Sequence, residues 1–159
     1  MKKEHVEKLE YLGFGFTVIL LNVPVKSLRG VVVPDIDYNA LQLVVLHHLS
    51  FKAFPLTGNE IRFIRQSLHM TLTKFATHFG VTHPAVIKWE KSQNKPAKMS
   101  LATELYIRLY VLDYLKVPNQ KFRSCFLQFD SNPNTKTTEF AIVVALPMEI
   151  ESDLVKAKV

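Results

Sequence analysis

Between Thr57 and Ser100 the places where helices can start and stop are spelled out by residue type, and this punctuation constrains the fold more than any other feature of the 159 residues. Thr57-Gly58-Asn59-Glu60 matches a capping box, in which the Thr hydroxyl and the Glu carboxylate each satisfy a backbone N–H left unpaired at a helix start. A helix to about Leu68 is expected. A second begins near Leu72 and stops at Gly80, whose missing Cβ permits the left-handed backbone that closes a helix. Thr82 caps a third, with Pro84 tolerated in its first turn because the amide it lacks would be unpaired there anyway. That helix should end near Ser92. Ser100 caps a longer one, running to about Lys116 and terminated before Pro118. Leu101, Leu105, Leu109 and Leu112 form one apolar stripe on it. Tyr106, Tyr110 and Tyr114, with Ile107 and Val111, form another that also needs cover.

The flanks carry strand signals. Gly15 to Val33 is rich in Val, Ile, Leu and Phe and is broken at Asn22-Val23-Pro24 and at Arg29-Gly30, the pattern of two strands joined in a hairpin. After Pro34, Asp37 can cap a helix to about Ser50, with Leu41, Val44, Val45 and His48 on one face. Phe51–Leu56, containing Pro55, reads as a linker. Beyond Pro118, Phe122–Phe129 and Glu139–Leu146 are expected to pair as a second hairpin across the turn-rich Asp130–Lys136, followed by a polar tail, Glu149–Val159. The expected class is therefore α+β. Residues 1–56 form an N-terminal hairpin and helix, 57–116 a central all-α module, and 117–159 a C-terminal hairpin and tail.

At 48% hydrophobic and 21% charged, the chain has enough apolar material for a core. Runs such as Phe140–Leu146 fall short of the ~20 residues a membrane span needs, and the Lys-rich start Met1–Lys8 leads into no signal-peptide core, so no membrane partner and a cytoplasmic location are expected. Cys125 is the single cysteine, which rules out an intrachain disulfide and a thiolate zinc cluster. The neighbours His47 and His48 point about 100° apart on a helix and cannot converge on one ion, so neither a metal nor another cofactor is expected. Catalysis is not expected either. Gly13-Phe14-Gly15 lacks the third glycine and the helix start of a phosphate loop, and helix capping explains Asp35 and Asp37 more simply than a carboxylate pair does.

Charge is concentrated in the central segment. Between Thr57 and Ser100 stand seven basic residues (Arg62, Arg65, Lys74, Lys88, Lys91, Lys95, Lys98) against two acids (Glu60, Glu90), a local +5 of the chain's +6. Such an excess favours a polyanionic partner, with an ordinary solvated face as the alternative.

Ile61-Arg62, Arg65, Met70-Thr71, Phe75-Ala76, Phe79-Gly80-Val81-Thr82, Val86, Lys88-Trp89-Glu90 and Pro96 together resemble the XRE class of helix-turn-helix proteins, the group of the phage repressors and Cro. The resemblance implies a DNA-binding module in which Ala76 lets two helices cross closely, Gly80 makes the turn, and Val86 and Trp89 anchor the recognition helix on the core. It implies that His83, Pro84, Ala85 and Lys88 face base edges in the major groove, with Thr82 beside them as an exposed DNA-facing candidate at the start of the recognition helix. There Lys88 can donate to guanine, Ala85 can touch a thymine methyl, and His83 can donate or accept. Thr73 and Lys74 at the start of the preceding helix, and Lys91, Asn94 and Lys95 after the recognition helix, suit phosphates. Glu90 is read as structural, paired inward with Arg62 or Arg65. Leu72 replaces a glutamine common in the class, and Ser92 a glycine.

The order of hairpin, helix and module also resembles antitoxins of the MqsA/YgiT type, without their Cys-x-x-Cys zinc ligands. The expected function is a sequence-specific duplex-DNA-binding transcriptional regulator, acting as a homodimer on a palindrome. The alternative is an antitoxin that binds a toxin and regulates its own operon. Metal analysis after dialysis should find no stoichiometric zinc; one zinc per chain would show that the histidines had been misread.

Overall fold

The structure, a computed structural model, describes residues 4–130 and 141–148. Its N-terminal part is an antiparallel meander of β1 (His5–Tyr11), β2 (Val18–Leu28) and β3 (Val31–Pro34), which α1 (Tyr38–Ser50) follows. The central part holds α2 (Gly58–Ser67), α3 (Leu72–His78), α4 (His83–Lys91) and α5 (Leu101–Tyr114), and the chain continues into α6 (Asn119–Asp130) and β4 (Ile142–Ala145). The fold is α+β, with the N-terminal hairpin and the central helices in place.

Local chemistry sets most element ends. Asp37 caps α1 by accepting from the Asn39 and Ala40 amides at 3.0 and 3.2 Å, and Thr57 with Glu60 closes the full capping box on α2. Thr71, Thr82 and Ser100 accept from the amides three residues on, at Lys74, Ala85 and Thr103. Gly80 adopts a φ of +67°, and the Val81 amide returns to the Ala76 carbonyl at 2.9 Å while the Gly80 amide meets Thr77. This double closure ends α3 and turns the chain tightly into α4.

The sheet departs from the expected hairpin in two ways. Asn22-Val23-Pro24 does not interrupt β2. The strand passes through it with Asn22 at φ +54°, whose carboxamide donates to the Leu146 carbonyl at 3.0 Å, and the chain reverses only at Arg29-Gly30. The charged segment His5–Tyr11, where no strand was expected, pairs along the outer side of β2, since an edge strand can turn Glu7, Lys8 and Glu10 to solvent.

The C-terminal hairpin is not formed. Phe122–Phe129 lies inside α6, because Phe122 and Cys125 recur at helical spacing and the Lys121 amide bonds back to Pro118 at 2.9 Å. Its expected partner supplies β4, which runs parallel to β2, pairing Val18 with Ile142 and Leu20 with Val144. Glu139, Phe140, Ser131–Lys136 and the tail Glu149–Val159 lie outside the described residues.

One buried cation joins the N-terminal part to the central helices. Arg108 of α5, 1% exposed, donates to the carbonyls of Leu49 (3.2 Å) and Phe54 (2.8 Å) and to that of Lys52, and it pairs with Glu104 at 3.3 Å. Glu104 in turn accepts from the Leu56 amide. Burial pulls the Arg108 guanidinium below its usual value and Glu104 opposes that pull; arginine stays charged throughout. Cys125 of α6 packs on the same turn of chain, its Sγ 3.3 Å from the Ser50 carbonyl. Burial pushes its thiol up, against the pull of Arg108.

Two outcomes follow. Arg108→Ala should cost about 3–5 kcal/mol in chemical denaturation, since it strands Glu104 and several inward carbonyls together. The Cys125 thiol should react with an aromatic disulfide reagent only as fast as the protein unfolds; rapid modification of folded protein would contradict this packing.

Candidate nucleic-acid interface

Helix α4 has two unlike faces. Val86, Trp89 and Glu90 point inward and are buried, whereas His83, Pro84, Lys88 and Lys91 are exposed and Ala85 is half-buried. The sequence dictates this split, because positions 86, 89 and 90 fall within one turn of each other on the side opposite 84, 88 and 91. Thr82 is exposed as the cap, and Thr73 and Lys74 are exposed in the first turn of α3.

Trp89 rests against the start of α2, where Gly58 is required: a Cβ there would overlap the Trp89 carbonyl and approach the Gln93 amide at 2.8 Å. The loop after α4 is tied to the same place. The Gly58 amide donates to Lys95 (3.2 Å), Asn59 to Gln93 (2.9 Å) and Ala97 to Leu56 (3.0 Å). These bonds fix the backbone that carries Lys91, Asn94 and Lys95.

The charges are sorted by depth. Glu60 is held by Lys52, both its oxygens 2.8 Å from the Lys52 Nζ. Glu90 is buried under two arginines, Arg65 on both its oxygens and Arg62 Nε at 3.3 Å from Oε2, and Arg65 also donates to the Met70 carbonyl at 3.0 Å. Both acids of the segment are thus inside and paired, while Lys74, Lys88, Lys91, Lys95 and Lys98 are all exposed. The outer surface of residues 57–100 carries positive charge without an exposed carboxylate.

Of the ten residues singled out from the sequence, Thr82, His83, Pro84, Ala85, Lys88 and Lys91 share α4 and its cap, and Thr73 and Lys74 stand at the start of the neighbouring helix. Asn94 is placed differently. Its Oδ1 accepts from Asn59 at 3.0 Å, and it lines a cleft toward the N-terminal sheet. Lys98, exposed at φ +56°, adds a charge that the helix pattern alone did not single out. The role of Asn59 could not be found from sequence, because its partner is 35 residues away.

No protein-family model matches the chain, and neither a curated protein nor a solved structure matches it.

Among the described residues no group of three or more His, Cys, Asp or Glu side chains could hold a metal ion, and no helix is long and apolar enough to cross a membrane. What the arrangement offers is a rigid cationic surface with a helix start, hydroxyls and an imidazole at its centre. Two substitutions test how that surface is held. Trp89→Ala should lower stability by about 3–5 kcal/mol. Glu90→Ala, which leaves Arg65 largely buried without its partner, should cost about 3 kcal/mol; a neutral effect in thermal unfolding would remove the ion pair from the account.

Proposed function

We propose that this chain is a sequence-specific, duplex-DNA-binding transcriptional regulator that reads base edges through α4 and acts in the cytoplasm as a homodimer. The observation that carries the reading is the sorting of charge: between Thr57 and Ser100 both acids are buried and paired while all five lysines are exposed. A solvated face chosen only for solubility needs no such separation, whereas a phosphate-binding face does, because each exposed carboxylate would repel the backbone it approaches. The resemblance to the XRE class supports the same surface. His83, Pro84, Ala85 and Lys88 are the base-reading residues, Thr82 supports them as the cap, and Thr73, Lys74, Lys91 and Lys95 take phosphates. Asn94, turned toward Asn59, is the weakest member of that set.

The outer face of α5 supports self-association. Tyr106 packs on Phe79 (ring centroids 5.0 Å apart) and near His78, yet it remains 46% exposed, as Leu101 (43%) and Tyr114 (41%) do. A palindrome requires two recognition helices about one turn of DNA apart, and a two-fold dimer supplies them. A second reading, an antitoxin in complex with a toxin, is favoured by the β2–β3 turn, where Leu28, Val31 and Val32 are each more than half exposed.

Affinity for duplex DNA should fall steeply with salt, with a log–log slope of about −0.9 per neutralised phosphate. Lys88→Ala should cost ~1–3 kcal/mol on the preferred site and leave the fold intact, whereas Lys95→Ala should weaken all sequences alike and reduce the slope by about one. Binding that is flat in salt would remove the proposal. A toxin partner would instead show as protection of Leu28, Val31 and Val32 on complex formation.

A further inference from the structure

We propose that β4 pairs with β4 of a second copy of this chain, antiparallel across a two-fold axis at Val143, so that two sheets become one. Among the described residues β4 is bonded to β2 alone, and its other side is a sheet edge. The Leu146 amide donates inward, to the Leu21 carbonyl at 2.9 Å. Backbone groups alternate in direction along a strand, so Val144 and Ile142 also face β2, and the N–H and C=O of Val143 and Ala145, and of Ala141 before them, point outward. Those groups have the spacing of a further strand. Pro147, which has no N–H, ends the run.

The two sides of this sheet differ in kind. β1, on the far side of β2, carries Glu7, Lys8 and Glu10, and charge along an edge deters pairing with another chain. β4 reads Ile-Val-Val-Ala, with no charge and two valines suited to a strand, and Val143 is 47% exposed. The protection given to one edge is withheld from the other.

Strand register names the occupant. Across the outer face Glu10 lies opposite Ile19, and Ile19 opposite Val143; in the next row Lys8 lies opposite Leu21, and Leu21 opposite Ala145. Each row has its charge at the β1 end and apolar side chains toward β4. An antiparallel copy centred on Val143 sets this residue against Val143 of the partner subunit and Ala141 against Ala145 of the partner subunit, which satisfies the outward groups of all three residues. The central row then runs from Glu10 through Ile19 and Val143 into the same series reversed, an apolar centre with charge only at its rim. On the inner face Ile142 meets Val144 of the partner subunit and extends the buried layer of Val18 and Leu20. An unrelated peptide could use the backbone groups but has no reason to match these rows.

Two chains of net charge +6 repel, so the place where they meet matters. Lys8 and Glu10 stand two strands back from the edge, about 10 Å away, which is about a Debye length at physiological salt. Repulsion is weakest here. A contact of this length falls short of the ~1,200 Å² of a stable complex, so the pairing depends on concentration. It rests on strand geometry, involves no residue of α5 and needs no DNA.

The test is sedimentation of the full-length protein across the micromolar range without DNA, joined to disulfide trapping. Wild-type mass should rise with concentration to about twice that of Val143→Lys at the same concentration. Val143→Pro removes only an outward N–H and should behave as Val143→Lys does, with the pairing to β2 kept. Val32→Lys, at a 59% exposed position of β3, should leave the mass as in wild type. Val143→Cys should form an interchain disulfide under mild oxidation, because facing residues of a hydrogen-bonded antiparallel pair have Cα atoms ~5.5 Å apart, within disulfide reach. Lys8→Cys on β1 should not. A mass that Val143→Lys and Val143→Pro leave unchanged, or trapping of Val143→Cys no faster than that of Lys8→Cys, would overturn the pairing. If either substitution unfolds the chain, the trapping result alone decides. The DNA-binding reading fails on a separate measurement, duplex affinity and its dependence on salt, so each can fall while the other stands.

Discussion

The guanidinium of Arg108 lies where the end of α1, the linker after it and the first half of α5 meet, and it answers a problem that those elements create together. A helix leaves its last carbonyls unpaired, and a linker buried beneath other elements leaves more. Here the carbonyls of Leu49, Lys52 and Phe54 all turn toward one buried cation, while Glu104 both balances its charge and takes the Leu56 amide. An apolar side chain of the same size could fill the space but could not satisfy those carbonyls. The pair is therefore better understood as the means of holding a specific chain path than as a net source of stability. Because Leu56 leads directly into the capping box at Thr57, fixing that path also fixes where α2 begins, and hence the helices packed on it.

From α2 outward the same logic repeats at smaller scale. Glu90 is drawn inward by Arg65 and Arg62, which clamps α4 against α2 and keeps a carboxylate off the surface. Gly58 lets the end of α4 approach closely enough for the loop to bond back to the start of α2. The lysines are left outside because no interior group calls for them. A cationic surface of defined shape is then a consequence of how the interior acids are paired, and the helix start at Thr82 adds backbone N–H groups near its centre.

The parts legible in the sequence were those decided within a few residues. Asp37, Thr57, Thr82 and Ser100 cap helices whatever surrounds them, and Gly80 turns the chain because it lacks a Cβ. The inward pairing of Glu90 was expected from the resemblance to the XRE class and is found. Misreadings fell where tertiary context decides. Phe122–Phe129 has the composition of a strand and the spacing of a helix, and α5 supplies the surface on which α6 packs. β1 looks too charged for a strand until it is seen as an edge. The cleft, the Asn59–Asn94 contact and the environment of Arg108 join residues tens of positions apart, and local patterns carry no record of them.

The central claim is that one face, built from α3, α4 and the loop after it, meets duplex DNA. Lysine acetylation read by mass spectrometry, with and without saturating duplex DNA at low salt, tests it residue by residue. The account predicts that Lys74, Lys88, Lys91, Lys95 and Lys98 lose reactivity together while Lys8 on β1, Lys26 on β2 and Lys116 just after α5 react as before. Equal protection of all lysines, or protection of Lys8 and Lys26 with Lys88 still reactive, would contradict it.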